Sequence, residues 1–471
     1  MQDSAATPGN EMFDVAVIGS GPGGYEAALH AARHGMKVCL VEKGPLGGVC
    51  VNWGCIPTKA LLRSAEVYDL VRNPAAFGVI VSGATFDLAQ AVKRSRNVAL
   101  KSSKAVEYML RKAGVSVRQG EAVLTGGTGL AITAPDGTGS RVEAGSLIVA
   151  SGSKPRALPG LEPDGNRVIT SREALIMKEV PSSMIVVGGG AIGVEMAWFY
   201  AKAGAKVTIV EMMPRLLPLE DPEISEVLKR SFEKAGIKVL CGARVSDVQR
   251  GESGVQAEIV IEGAEPVRSE ADYLLVAIGV TGAIDNLGLE AAGVATDGGF
   301  ITTDPLCRTS APGIYAIGDV RGGMLLAHKA SAEAAIGVEA IAGGSPEPLE
   351  EAFIPRCVYA QPSVASIGLT EEAVLKSGRG VRVGRSLFAA SGKANAFGQL
   401  EGLVKLVFDA ESGRMLGGHL IGHDAVELIG ELGLACRFGM TAADLLRTVH
   451  AHPTLSETVR EAAFNAVQSA G

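Results

Sequence analysis

At 471 residues the chain exceeds what one hydrophobic core supports and suits three or four domains. Its formal charge of −7 is spread without blocks, which argues against nucleic acid and for a small substrate or another protein as partner. Seven cysteines, odd in number and irregularly spaced, exclude a secreted disulfide framework, and Glu195 and Lys202 interrupt the most apolar helix, so no membrane span is expected.

The opening segment MQDSAATPGNEM lacks the basic region and apolar core of a signal peptide, so residues 1–11 are expected as a disordered tail of a soluble, cytoplasmic protein. FDVAVI, residues 13–18, then reads as a buried strand, and GSGPGG opens a helix rich in alanine and leucine. Gly19, Gly21 and Gly24 fit a dinucleotide fingerprint: the first for a tight turn, the second for close approach of a pyrophosphate, the third for helix–strand packing. The diphosphate is expected at the helix N-terminus. The next strand, KVCLVE, ends in Glu42, placed to accept hydrogen bonds from ribose hydroxyls.

LGGVCVNWGCIPTK follows, with Cys50 and Cys55 as a candidate redox disulfide beside the cofactor; two reduced buried thiols or a metal site are the alternative. In a regular helix residues five apart sit roughly 8 Å from each other, beyond the ~7 Å that a disulfide bridges. The first turn must therefore be irregular, with Asn52 and Gly54 supplying permissive backbone and Pro57 suiting the first turn of a helix through Lys59 and Leu62. Cys50 is expected to precede that helix and face solvent. Cys55, at the helix N-terminus, is expected to be the more acidic sulfur. Cys39, Cys241, Cys307, Cys357 and Cys436 sit in apolar or strand-like surroundings and read as structural thiols.

A helix is expected from Phe86 to Ala113, followed by short strands ending at SLIVASGSKPR, where Ser151, Gly152 and Pro155 mark a crossing between domains. The fingerprint then recurs in MIVVGGGAIGVEMAWFYAKAGAKVTIVE, with Gly188, Gly190 and Gly193 as the triplet and Glu211 at the same offset as Glu42. Two copies imply two dinucleotides, one a flavin and the other a nicotinamide. A carboxylate at 211 suits the free 2′-hydroxyl of NAD; Arg215 is the reservation, since a turn folded back would let it meet a 2′-phosphate. YLLVAIG ends in Gly279, where backbone is expected to pass close to the nicotinamide. In GIYAIGDV, Asp319 is either a cap or a ligand to the sugar chain of a flavin. Beyond the linker GGSPEPLEE, strands and helices without a fingerprint suit association.

Together these residues resemble the pyridine nucleotide-disulfide oxidoreductases from about 12 to 468. The resemblance implies an α/β chain with two Rossmann-like domains and a C-terminal α+β dimerisation domain. It places the first part of the FAD domain at 12–154, the NAD domain at 155–282, a central segment completing the FAD domain at 283–349 and the dimerisation domain at 350–471. FAD is then held at the first motif, helped by Glu42, Lys59, Gly152, Asp319 and backbone near Ala327, and NAD at the second. Glu195 pairs with Lys59 near the nicotinamide pocket. HAHPTLSE supplies His452 as catalytic base and Glu457 as its orienter, the histidine serving the other subunit of a homodimer. Local sequence also allows Glu457 merely to cap a helix, in a capping box with Thr454.

The activity implied is NAD-linked oxidation of dihydrolipoyl groups on the acyltransferase subunit, or lipoyl carrier protein, of a 2-oxo acid dehydrogenase or glycine-cleavage assembly. The rivals are an NAD(P)H-dependent reductase of another disulfide or a quinone, and a non-catalytic FAD-binding scaffold. Trp53 between the cysteines and VTGAIDNLGLE after the Ala-x-Gly strand depart from the family pattern.

Overall fold

A computed structural model describes residues 11–468, so residues 1–10 of the expected tail lie outside the described residues while Glu11 opens a strand. The chain divides into two units: 1–58, 93–156 and 280–349 form the first, and 59–92, 157–279 and 350–471 the second.

In the first unit the strands Ser116–Gln119, Val38–Glu42, Glu11–Ile18 and Gly139–Val149 lie side by side in parallel. The run VAVI is buried on both faces, as a parallel sheet covered on each side requires. The long strand Gly139–Val149 shares one edge between two neighbours. Its first half pairs antiparallel with Gly129–Thr133, and its last three residues pair parallel with Ile314–Ala316. The segment around 314 thereby completes the first sheet. Four helices of this region are labelled in chain order: α1, Pro22–Arg33; α2, Gly48–Trp53; α3, Cys55–Arg72; and α4, Leu88–Lys112. The last starts two residues later than Phe86, because Asp87 Oδ1 accepts from Gln90 N at 3.0 Å and closes the helix start.

The second unit holds a parallel sheet in the order Lys238–Cys241, Lys206–Glu211, Ser183–Val187, Tyr273–Val276, Val168–Ile169. A three-stranded antiparallel meander spans Ala243–Ala271. Residues 356–422 build a five-stranded antiparallel sheet. One face of that sheet, including Ala365, Ile367, Val404 and Leu406, packs in a core with Leu432 of the helix Ala425–Arg437 and Val459 of the helix Glu457–Gln468. The other face, including Val358, Val364, Leu403 and Ile421, joins the core around Trp198 and Phe232.

Two boundaries differ from the expected spans. Residues 59–92 group with the second unit rather than with 12–154, because Leu61, Leu62, Ala65, Leu88 and Ala91 bury their apolar faces in the core containing Phe199 and Tyr200. Phe86 stands edge-on to Phe199, with centroids 6.1 Å apart. Val280–Gly282, expected to close the 155–282 span, groups with the first unit because it pairs antiparallel with Ser153–Pro155. No helix among the described residues is long and apolar enough to cross a membrane.

Candidate active site

Cys50 and Cys55 form a disulfide with Cα atoms 4.8 Å apart. The required irregularity is a complete break: α2 ends at Trp53, Gly54 has φ −140° and ψ −111°, and α3 restarts at Cys55. Cys55 therefore sits at a helix start as expected, where the first N–H groups and the dipole favour a thiolate. Cys50 precedes α3, as expected, but lies inside the separate short helix α2, and it is half-buried, as is Cys55, rather than fully facing solvent. Nor is Asn52 a permissive backbone position. It is helical and buried, and its Nδ2 donates to the carbonyls of Leu46 at 2.9 Å and Gly48 at 3.0 Å. Gly47 and Gly48 carry the left-handed backbone instead, with φ +98° and +60°. A Cβ on Gly48 would fall 2.7 Å from Gly21 Cα, so this turn rests directly on the first fingerprint and brings the disulfide beside it.

The two fingerprints repeat down to their hydrogen bonds. Gly19 and Gly188 take φ +94° and +110°, and Gly24 and Gly193 each lie against the carbonyl of the first glycine of their triplet. Glu42 Oε2 accepts from Ser20 N at 2.8 Å and Oε1 from Gly44 N at 2.7 Å; Glu211 accepts from Gly189 N and, at 2.7 Å, from Met213 N. Each acid thus ties its own strand end to the glycine turn, an additional role beside the expected ribose contact. A carboxylate has about four lone-pair sites, so capacity for a hydroxyl donor remains. Arg215 pairs with Glu372 at 3.3 Å.

The residues fit two dinucleotides. Space is open around the Cα of Gly21 and of Gly190, and neither following helix has a side-chain cap on its first N–H groups. Beside the first turn, the buried Ser151 Oγ lacks a hydrogen-bond partner among the described residues. Asp319 Oδ2 accepts from Ser153 Oγ at 2.6 Å, so its carboxylate serves a neighbouring strand and not a helix cap. Ala327 is the first residue of the helix Ala327–Ile341. Gly152 and Gly279 have φ +77° and +99°, with open space where a side chain would stand.

Lys59 Nζ meets both oxygens of the buried Glu195 at 3.0 and 2.9 Å and lies 4.3 Å above the ring of Tyr359. Tyr359 N also donates to Glu195 Oε1 at 2.9 Å. Local pattern reasoning missed Tyr359; only tertiary packing brings it to a partner 164 positions away.

At the C-terminus His452 Nδ1 lies 2.8 Å from Glu457 Oε1, while Thr454 N donates to Glu457 Oε2 at 2.9 Å. The two roles weighed for Glu457 do not compete, because each takes its own oxygen. The box is incomplete: Thr454 Oγ turns back to Ala451 O at 2.7 Å. The Thr454 N–H, then His452, hold the Glu457 carboxyl below its ordinary range. Since a carboxylate only accepts, Nδ1 carries the proton and Nε2 of the neutral ring is left as acceptor. The neighbouring His450 is also fixed, by Glu431 at 2.7 Å and by Thr448 O.

Burial pushes the Cys39 and Cys357 thiols up to about 11 and those of Cys307 and Cys436 up to about 12; Cys241 is raised as well. They stay protonated near neutrality and are poor nucleophiles. Among the described residues no cluster of His, Cys, Asp and Glu is arranged to hold a metal.

Residues 13–334 match the pyridine nucleotide-disulphide oxidoreductase family, and 354–463 its dimerisation domain. The chain is 75% identical over 459 residues to dihydrolipoyl dehydrogenase of Chlorobaculum tepidum, covering 98% of each, and 74% identical to that of Chlorobaculum parvum over the full length of both. Among solved structures it is similar to LpdA from Mycobacterium tuberculosis, with a TM-score of 0.89 and 30% identity over 96% of this chain and 99% of that one. The Cu(II) complex of the HOCl-induced flavoprotein disulfide reductase RclA from Escherichia coli is also similar, with a TM-score of 0.86 and 26% identity over 97% of this chain and 99% of that one. Repeated fingerprints, a cysteine pair seated on the first and matches along nearly the whole sequence agree: the chain belongs to the pyridine nucleotide-disulphide oxidoreductase family, as a homodimeric, flavin-dependent disulfide oxidoreductase using FAD and NAD.

Proposed function

We propose that this enzyme oxidises dihydrolipoyl groups on the lipoylated subunit or carrier protein of a 2-oxo acid dehydrogenase or glycine-cleavage assembly, with NAD as acceptor, in the cytoplasm. The observation that carries the site is the Cys50–Cys55 disulfide resting on Gly21 through Gly48. The substrate class is supported by the relatives named dihydrolipoyl dehydrogenase.

In this reading His452 Nε2, left free by the Glu457 bond, takes a proton from one substrate thiol. The thiolate attacks Cys50 Sγ, forming a mixed disulfide and releasing Cys55 as a thiolate favoured by the start of α3. The second substrate thiol attacks the substrate sulfur of that mixed disulfide, its proton passing to the departing Cys50 thiolate. Cyclic lipoyl disulfide leaves. Bound FAD supplies the two-electron carrier between this dithiol and the nicotinamide. The net change removes two electrons and two protons from the substrate, giving NADH and one released proton.

The remaining assignments belong to the same proposal. Residues 12–154 with 283–349 hold FAD, 155–282 hold NAD and 350–471 form the dimer. Gly19, Gly21, Gly24, Glu42, Lys59, Gly152, Asp319 and Ala327 serve the flavin; Gly188, Gly190, Gly193, Glu195, Glu211 and Gly279 serve the nicotinamide. The Glu211 carboxylate favours NAD over NADP. Turnover should be compared on dihydrolipoamide with NAD, and on glutathione disulfide and a quinone with NADH. Preference for dihydrolipoamide supports the proposal; low activity there with high activity on another acceptor overturns it.

A further inference from the structure

Trp53, between the two cysteines, has a partner in α4. The Arg96 guanidinium lies 4.3 Å over its ring, and Arg96 Nη1 donates to the carbonyl of Asn52, beside it at the end of α2. Two more side chains of α4 reach main-chain carbonyls flanking the disulfide. Ser95 Oγ donates to Pro57 O at 2.9 Å, in the first turn of α3, and Ser103 Oγ donates to Leu46 O at 2.7 Å, ahead of α2. Asn52 Nδ2 closes the arrangement from inside by bonding Leu46 O and Gly48 O.

We infer that α4 is a clamp that positions the redox cysteines, with Arg96 and Trp53 as its central pair. The inference rests on the redox reading of Cys50 and Cys55. A six-residue helix is too short to hold its shape unaided. Its terminal carbonyls need donors from outside, and a cation at a helix C-terminus meets favourable partial charge. Without further ties, reducing the disulfide would free α2 and α3 to separate at Gly54. None of the clamp's bonds involves sulfur, so all survive reduction and keep the two backbones near the 4.8 Å spacing seen with the bond intact. Preorganised thiols reclose more readily than mobile ones, so the clamp favours the disulfide over the dithiol. Guanidinium stacking with a simultaneous carbonyl bond suits arginine better than lysine.

The test uses holoenzyme equilibrated anaerobically in reduced and oxidised dithiothreitol mixtures. Cys50 and Cys55 are then trapped with iodoacetamide and the peptide carrying them is weighed. Arg96→Met and Trp53→Leu should each raise the equilibrium constant for reduction by about tenfold, a shift of ~30 mV for a two-electron couple. Arg96→Lys should recover part of it, and the double variant should show little more than either single one, because the pair acts as a unit. Flavin content and dimer size identify variants that misfold; Ser103→Ala, which removes one clamp bond, then replaces them and should shift the constant in the same direction. Wild-type constants in correctly assembled variants overturn the clamp while leaving the redox role intact. Failure of wild-type Cys50 and Cys55 to trap as a dithiol in any mixture overturns both.

Discussion

Replacing His452 with Gln tests the base and the dimer together. A glutamine amide can still donate to Glu457 Oε1, so the loop keeps a bond in place of the 2.8 Å imidazole contact, and the bond from Thr454 N to Oε2 is untouched. The His452 side chain is 78% exposed, so no core packing is lost with it. What disappears is the accepting Nε2, and turnover of dihydrolipoamide should fall by ~10²-fold or more, within the range for a general base. Flavin content and dimerisation should be unchanged. If the histidine serves the partner subunit's disulfide, a dimer of one Cys50→Ser chain and one His452→Gln chain keeps one intact site and one doubly altered site. Random reassociation of equal amounts makes half the dimers mixed, so activity should recover to about one quarter of wild type. A tandem-tagged, purified mixed dimer should reach about half. The assay is NADH formation from dihydrolipoamide, with each parental dimer and reassociated wild type as controls. If base and disulfide belonged to one chain, every site would carry a defect, so a purified mixed dimer as inactive as its parents refutes the shared site.

Glu211→Ala removes the carboxylate that ties Gly189 N and Met213 N as well as the proposed ribose contact, so the KM for NAD should rise by ~10-fold or more while flavin stays bound; an unchanged KM removes Glu211 from the NAD site. Lys405, 3% exposed, bonds Asp221, Glu223 and Glu371, and Lys405→Met leaves the buried Asp221 carboxylate uncompensated, costing about 3–5 kcal/mol. Urea unfolding followed by the fluorescence of Trp198 should shift to lower denaturant, and an unshifted midpoint counts against that ledger. Arg385, then Lys405, hold the Glu223 carboxyl down to about 2. A depressed carboxyl gives stability that is complete above its unfolded value of ~4.3 and is lost as pH falls toward the folded one. With that side chain 40% exposed, screening leaves ~1 kcal/mol, so Arg385→Met should lower stability by about that much at neutral pH, with the difference from wild type shrinking as pH falls below ~4.3, and should raise the pH of acid unfolding modestly. An acid midpoint identical to wild type would remove the Glu223 contribution.

Both fingerprints were legible in the sequence because everything they need is close along the chain: a strand, three glycines, a helix and a second strand ending in an acid. The cysteine pair was legible for a related reason, since a five-residue spacing is incompatible with bridging in a regular helix and forces a break, which the structure places at Gly54. Local sequence did not show which atoms hold that break. Asn52, expected as flexible backbone, is a buried side chain with three carbonyl partners, and Arg96 and Ser95 come from a helix some forty residues on. The same distance problem hides Tyr359 beside Lys59 and Glu195, whereas the Lys59–Glu195 pair itself was accessible only through resemblance. For Glu457 the sequence posed a choice between cap and orienter that three dimensions dissolve, because a carboxylate offers two oxygens and the loop addresses each separately. The span 59–92 and the strand 280–282 group with parts of the chain distant in sequence for one physical reason. Periodicity shows that a face is apolar or that a segment is extended, but which surface covers that face, and which edge pairs with that strand, is chosen by packing among elements far apart in sequence.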